Sequence, residues 1–156
     1  MKLEIISKIH KDSLAHESVL LIHGACMGAW VWEDNFLPFF YEKGFNVYAM
    51  SFRNHGQSDS AGPLRWLSAK CYVEDLANVV GEINGPIHLI GHSMGGFVIQ
   101  HYLQNVSVKI KSATLLCSVP SHGLWRLIGN LVFHYPLFFL QSILTFSWLP
   151  VLKKQT

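Results

Sequence analysis

Short apolar runs alternate with helical patterns along most of this chain, and that alternation constrains its fold more than any other feature. Five runs have the length and composition of β-strands, at residues 3–9, 18–22, 46–50, 87–90 and 112–117. Between them, apolar side chains recur at helical spacing over residues 30–43, 68–82 and 94–104. Strands that alternate with helices predict an α/β fold with a mostly parallel sheet and helices on both faces.

The composition narrows the classes of function. The chain has 156 residues, 50% of them hydrophobic and 13% aromatic, with a formal net charge of +2. It is therefore too apolar for a disordered chain, and it has no basic block that would indicate a nucleic acid partner. The spacing of Cys26, Cys71 and Cys117 indicates neither a disulfide framework nor a zinc site, so we expect no metal and no cofactor. Free thiols and the absence of an apolar leader at the N-terminus predict a cytoplasmic location.

The sharpest functional signal is the segment Gly-His-Ser-Met-Gly at residues 91–95. An apolar run precedes it and a helical pattern follows it, which is the setting of a nucleophile elbow. In such an elbow a strained turn lifts the serine hydroxyl, here that of Ser93, out of the sheet. Small residues at Gly91 and Gly95 predict a close approach of strand and helix around His92. The alternative interpretation is a glycine-rich turn with an incidental serine.

A second segment, His-Gly-Ala at residues 23–25, follows the apolar run at 18–22. An acyl-transfer enzyme needs two N–H groups directed at the oxygen on which negative charge develops. Met94 follows the candidate nucleophile at a helix N-terminus and predicts one donor, and the N–H of Ala25 predicts the other. We expect the His23 side chain to support this loop, together with Gly24, and not to act as the base.

With a third loop, Arg-Asn-His-Gly-Gln-Ser at residues 53–58, these segments resemble the N-terminal half of an α/β-hydrolase of the serine esterase, monoacylglycerol lipase or lysophospholipase type. Asn54 stands where the family usually has glycine, and asparagine tolerates a positive φ better than most residues. The resemblance implies that Ser93 is the nucleophile, that Ala25 and Met94 are the oxyanion donors, and that the substrate is a small carboxylic ester, with acyl lipids as one class. Related scaffolds also support lyase and peroxidase chemistry, so the subclass stays open.

The triad acid and base of that family are missing from this chain. The family order is Ser, then Asp or Glu, then His, yet no carboxylate follows Glu82. We expect His101 to point away from the serine, and His122 and His134 to lie beyond the core. The sequence favours a truncated hydrolase with little activity of its own. The alternatives are a naturally short chain completed by a partner, and a non-catalytic remnant that binds a lipid, a partner or a membrane.

The division of the chain is predicted at residue 118, with a hydrolase core at 1–118 and an incomplete helical cap at 119–156. Residues 127–152 contain no Asp, Glu, Lys or Arg. A bilayer takes roughly 20 apolar residues to span, but Pro136 and several polar residues favour two short helices over an apolar pocket. The alternatives for this segment are membrane insertion and peripheral membrane contact. The strand at 112–117 predicts an exposed apolar edge and hence self-association.

Overall fold

The structure is a computed structural model and describes residues 1–12, 16–63, 68–104, 110–123, 125–136 and 140. It divides into two compact units, Met1–Ser121 and His122–Thr156. The elements of the first unit are, in chain order, β1 (Ile5–Lys8), β2 (Ser18–Ile22), a 3-10 helix (Ala29–Trp32), α1 (Phe36–Glu42), β3 (Asn46–Met50), α2 (Ala69–Glu82), β4 (Ile87–His92), α3 (Met94–Leu103) and β5 (Ile110–Leu116). Helix α4 (Trp125–His134) lies in the second unit.

The five strands form one sheet in the order β1-β3-β2-β4-β5. β1 runs antiparallel to β3, and all the other neighbouring strands are parallel. The predicted α/β fold with a mostly parallel sheet is therefore confirmed. β5 is an edge of the sheet and its residues 111–115 are exposed. The exposed edge strand was expected from the sequence, whereas self-association stays a prediction.

Helices cover both faces of the sheet, and each face has its own apolar core. Every residue of β2 is buried, because its alternating side chains enter both cores. The core on one face combines strand residues with α2 and α3, and includes Leu20, Ile22, Met50, Leu76, Leu89, Val98 and Ile99. The core on the other face combines strand residues with the 3-10 helix and α1, and includes Val19, Leu21, Trp32, Leu37, Val47 and Ala49.

The single helix predicted for residues 30–43 is wrong, because the structure divides it into the 3-10 helix and α1. Pro38 explains the break, since a proline inside a continuous helix removes one hydrogen bond and clashes with the carbonyl four residues earlier. In the first turn of α1 neither cost arises. The predicted helix stop at Gly44 is confirmed: its φ is 89°, and the N–H of Phe45 donates to the carbonyl of Phe40 over 3.1 Å.

Helix α4 ends at His134, two residues before Pro136, as the proline predicts. Residues 137–139 and 141–156 lie outside the described residues, so most of the predicted cap stays a prediction. No helix within the described ranges is long and apolar enough to cross a membrane.

Candidate active site

Ser93 lies at the turn between β4 and α3 with φ 51° and ψ −110°. A non-glycine residue held at such dihedral angles carries strain of about 1–3 kcal/mol, and such residues cluster at functional sites. The surrounding backbone holds it in place. Its N–H donates to the carbonyl of Leu116 over 2.9 Å, and its carbonyl accepts from the N–H groups of Phe97 and Val119 over 3.2 Å each.

Two glycines allow this turn because the backbones of strand and helix nearly touch. A Cβ added to Gly95 would lie 2.5 Å from the carbonyl oxygen of Ile22. A Cβ added to Gly91 would lie 2.7 Å from the backbone nitrogen of Gly96. Both distances are too short for a side chain, so the close approach expected at Gly91 and Gly95 is present.

The loop after β2 lies against the candidate nucleophile. A Cβ added to Gly24 would lie 3.3 Å from the Cβ of Ser93 and 2.8 Å from Nδ1 of His92. Ala25 is the next residue of this loop and is exposed, whereas Ser93 and Met94 are half-buried. Met94 is the first residue of α3, and the first N–H groups of a helix have no partner within it. Ala25 and Met94 thus each follow a residue of this close contact in the chain, and their role as oxyanion donors stays a prediction.

His23 is buried and supports the loop through both ring nitrogens. Nδ1 donates to the carbonyl of Gly24 over 2.6 Å, and Nε2 accepts from the N–H of Phe52 over 3.0 Å. Burial lowers the pKa of His23 to about 4, so the ring is neutral near pH 7. With both nitrogens engaged, His23 has no nitrogen left to deprotonate Ser93.

The loop after β3 is tied to α2 by a charged pair that the sequence did not identify. The guanidinium of Arg53 donates to Asp75 with Nη2–Oδ1 at 2.6 Å and Nε–Oδ1 at 2.9 Å. Asp75 is fully buried, and its hydrogen bond raises the pKa of Arg53. The sequence carries one signal for this pair: Asp75 is an acidic residue on the apolar side of the helix predicted for residues 68–82. In the same loop Asn54 has φ 62°, consistent with its place at a glycine position.

A second support that the sequence did not reveal joins α3 to the loop after β5. The side-chain amide of Gln100 donates to the carbonyl of Val119 over 2.8 Å and to the hydroxyl of Ser118 over 2.9 Å. The same loop donates to the carbonyl of Ser93 through the N–H of Val119. No local pattern signals this contact, because it depends on how β5 pairs with β4.

Within the part of the chain that the structure describes, no base is bound to the hydroxyl of the candidate nucleophile. There, no side chain hydrogen bonds to the hydroxyl of Ser93, and Nε2 of His101 instead contacts the carbonyl of Ser121 over 3.1 Å. His122 and His134 are exposed residues of the second unit. Nor do the described residues contain a cluster of three side chains that could hold a metal ion.

Comparison with known proteins places this geometry among hydrolases. Residues 19–154 match the alpha/beta hydrolase family. The chain is 32% identical over 98 residues to human protein phosphatase methylesterase 1. This match covers 60% of this chain and 25% of that protein. It is 26% identical over 131 residues to the probable lysophospholipase L2 of Haemophilus influenzae, covering 80% of this chain and 41% of that protein. The structure of Paleococcus ferrophilus monoacylglycerol lipase superposes with a TM-score of 0.64 at 21% identity, over 87% of this chain and 53% of that chain.

Proposed function

Because this chain belongs to the alpha/beta hydrolase family, we propose that it carries the nucleophile of an esterase or lipase that cleaves carboxylic esters. One observation carries the proposal: Ser93 occupies a strained turn between strand and helix, with Gly24 packed against it. The chain spans less than half of either curated relative described above, so the activity concerns the site that this chain contributes. The names of those relatives, a methylesterase and a lysophospholipase, support an ester as the substrate class.

In the proposed reaction the hydroxyl oxygen of Ser93 attacks the ester carbonyl carbon. The electron pair of the carbonyl moves to its oxygen, which accepts hydrogen bonds from the N–H groups of Ala25 and Met94. Collapse of this intermediate expels the alcohol and leaves an acyl group on Ser93, which water then removes. A base must take the serine proton and return it to the leaving alcohol.

We place that base and its orienting carboxylate outside these 156 residues. The sequence has no Asp or Glu after Glu82, and no described histidine hydrogen bonds to Ser93. The chain alone should therefore be weakly active, since a hydrolase that lacks its triad retains only roughly 10³–10⁴-fold catalysis from the oxyanion hole and binding. An acyl lipid is the favoured substrate within the ester class, because residues 127–152 are apolar and uncharged.

The second candidate function is binding without catalysis. It is favoured by the missing contact between the hydroxyl of Ser93 and any base among the described residues. In that case the elbow would be a remnant, and the surface around it would bind a lipid or an ester without cleaving it.

Covalent labelling separates the two candidates. Because the proposed oxyanion donors remain while the base does not, we expect a fluorophosphonate to form an adduct with Ser93 only slowly, on prolonged exposure, detected by intact mass and located in the tryptic peptide 71–109. Ser93→Ala should abolish this adduct. Ser107→Ala, which removes the other serine of the same peptide, should leave it intact. A folded protein with no adduct in peptide 71–109 even after prolonged exposure would contradict the catalytic proposal and favour binding.

A further inference from the structure

The loop that carries the proposed donor Ala25 is buried at both ends and exposed at its tip. We call residues 24–28, between β2 and the 3-10 helix, the donor loop. Gly24 and Gly28 are buried, whereas Ala25 and Cys26 are exposed. Cys26 has a φ of 60°, and such a conformation in a residue other than glycine persists only where the surrounding structure enforces it. Because the tip is exposed, its conformation must be enforced from the two ends of the loop.

The first end of the donor loop is held by His23, the residue that precedes it. Nε2 of His23 accepts from the N–H of Phe52, and Nδ1 donates to the carbonyl of Gly24. Gly24 in turn lies against the Cβ of Ser93. Phe52 belongs to the loop after β3, so this end of the donor loop is attached to that loop.

The second end of the donor loop is held by a buried hydroxyl group. Ala29, the residue after the donor loop, is fully buried, and its N–H donates to Oγ of Ser51 over 2.8 Å. Ser51 is also fully buried and directly follows β3. A Cβ added to Gly28 would lie 3.1 Å from this Oγ, so the donor loop packs against it. Both ends of the donor loop are therefore attached to the loop after β3.

The orientation of the Ser51 hydroxyl is set by a carboxylate. A hydroxyl has one proton to donate, and that of Ser51 is donated to Oε2 of Glu4. The lone pairs of the hydroxyl oxygen then remain for the N–H of Ala29. A hydrogen bond to a carboxylate is stronger than one between neutral groups, so it fixes this direction. Without the carboxylate the hydroxyl could rotate, and the N–H of Ala29 would lose its fixed acceptor.

Glu4 is half-buried and is itself held by the loop after β3. Its Oε2 also accepts from the N–H of Gln57 over 3.0 Å. Its N–H donates to Oγ of Ser58 over 2.8 Å, and its carbonyl accepts from the N–H of Ser51 over 2.9 Å. A Cβ added to Gly56 would lie 2.2 Å from Oε2, so a side chain there would displace the carboxylate. The carboxylate of Glu4 is thus fixed by the same loop that holds the donor loop.

We propose that Glu4 is a positioning residue of the ester-cleaving site, and that it acts through Ser51 to direct the N–H of Ala25 at the oxyanion. This role rests on the proposed function, because Ala25 is a donor only if the site cleaves esters. Donors that are fixed before the reaction stabilise the developing charge without reorganisation during it. With both ends attached, the five residues 24–28 are constrained to the turn that holds Cys26 at φ 60°.

The primary test compares the rates at which a fluorophosphonate labels Ser93 in folded variants on prolonged exposure. Glu4→Ala should lower the rate at least about tenfold, since one oxyanion donor contributes roughly 10²–10³-fold to catalysis. Glu4→Gln keeps an oxygen that accepts from Ser51, and it should recover most of the rate. A Glu4→Ala protein labelled as fast as the parent would overturn the positioning role.

Asp59→Ala is the matched control for this test. Oδ2 of Asp59 accepts from the N–H of Lys2 over 2.6 Å, so this carboxylate joins the same N-terminal segment to the same loop after β3. It has no hydrogen bond to Ser51 or to the donor loop among the described contacts. Asp59→Ala should therefore be labelled at the parent rate, and a loss equal to that of Glu4→Ala would overturn the proposal.

A double variant tests whether Glu4 and Ser51 act as one path. Ser51→Ala should slow the labelling of Ser93 as much as Glu4→Ala does. The combined variant should be no slower than either single variant, because the effects of groups that act through one another do not add. A combined loss equal to the product of the two single losses would overturn the shared path.

Amide hydrogen exchange tests the same attachment without any reaction at Ser93. By NMR, the amide of Ala29 in Glu4→Ala should exchange at least about tenfold faster than in the parent, as expected for a local opening. The amide of Leu21, in the buried strand β2, should keep its rate, whereas a general loss of stability would speed both. Unchanged exchange at Ala29 would overturn the positioning role. An unlabelled Ser93 in the parent would instead contradict the proposed function, even where Ala29 responds as expected.

Discussion

The two serines of this sheet show opposite combinations of backbone geometry and proton acceptor. Ser93 has a strained backbone and lies against a glycine loop, but no described side chain hydrogen bonds to its hydroxyl. Ser112 lies within β5, directly after a register shift in the pairing of that strand with β4, and its hydroxyl contacts a histidine that contacts a carboxylate. Turn geometry comes from local sequence, whereas a proton acceptor comes from the register of distant strands. A serine can therefore have the strained turn without a proton acceptor, or a proton acceptor without the strained turn.

The largest expected effect tests whether the loop after β3 depends on one buried charge. In Asp75→Asn the guanidinium of Arg53 loses its anionic partner inside the protein. Breaking a buried pair costs about 3–5 kcal/mol, and partial exposure of Arg53 places our expectation at about 3 kcal/mol of unfolding free energy in urea titrations. Glu74→Gln is the matched control, because Glu74 is an exposed carboxylate 3.7 Å from Arg53, and it should change stability by less than about 0.5 kcal/mol. Equal losses in both variants would contradict this account.

The pH dependence of stability tests the role of His23 behind the elbow. Its pKa is about 4 in the folded protein against an ordinary value of 6.5. Between these values the unfolded chain binds a proton that the folded chain does not, so stability falls as the pH falls from 6.5 to 4. The expected loss is about 3 kcal/mol, at 1.36 kcal/mol per pH unit. His23→Gln should remove that part of the pH dependence, and an unchanged slope would show that His23 titrates normally.

A methyl group tests the close approach that the elbow requires. Gly95→Ala places a Cβ against the carbonyl of Ile22, and we expect a loss of about 2–3 kcal/mol in unfolding free energy. Gly81→Ala in α2 is the control, because nothing lies within 4 Å of its added Cβ. This control should stabilise the protein by up to about 1 kcal/mol. A neutral Gly95→Ala variant would mean that the elbow is looser than described.

The smallest expected effect compares the two serines directly. Ser93→Gly should stabilise the protein by about 1 kcal/mol, because glycine adopts φ 51° without strain. Ser112→Gly should destabilise it by about 0.5–1 kcal/mol, because glycine weakens a strand interior. Thermal unfolding of the two variants beside the parent protein measures both signs. If both variants changed the stability in the same direction, the described difference in backbone geometry between the two serines would be contradicted.

Local patterns were sufficient for the elements but not for the contacts between them. The bounds of β2 and β3 follow directly from their apolar runs, and the elbow follows from its glycines and its position between strand and helix. Pro38 favours a break within residues 30–43, but the apolar spacing continues across it and favours a single helix. The contact between Glu17 and His88 joins residues 71 positions apart and depends on strand register. The hydrogen bond from Gln100 to Ser118 depends on it as well. No sequence pattern encodes either one.

The most direct test of the central claim, that Ser93 lies at an oxyanion site, is a crystal structure of the protein after reaction with a fluorophosphonate. We predict the phosphorus on the Ser93 oxygen, with one phosphonyl oxygen about 2.7–3.1 Å from both the Ala25 and the Met94 nitrogens. A phosphonyl group on Ser93 whose oxygens reach neither nitrogen would contradict the claim.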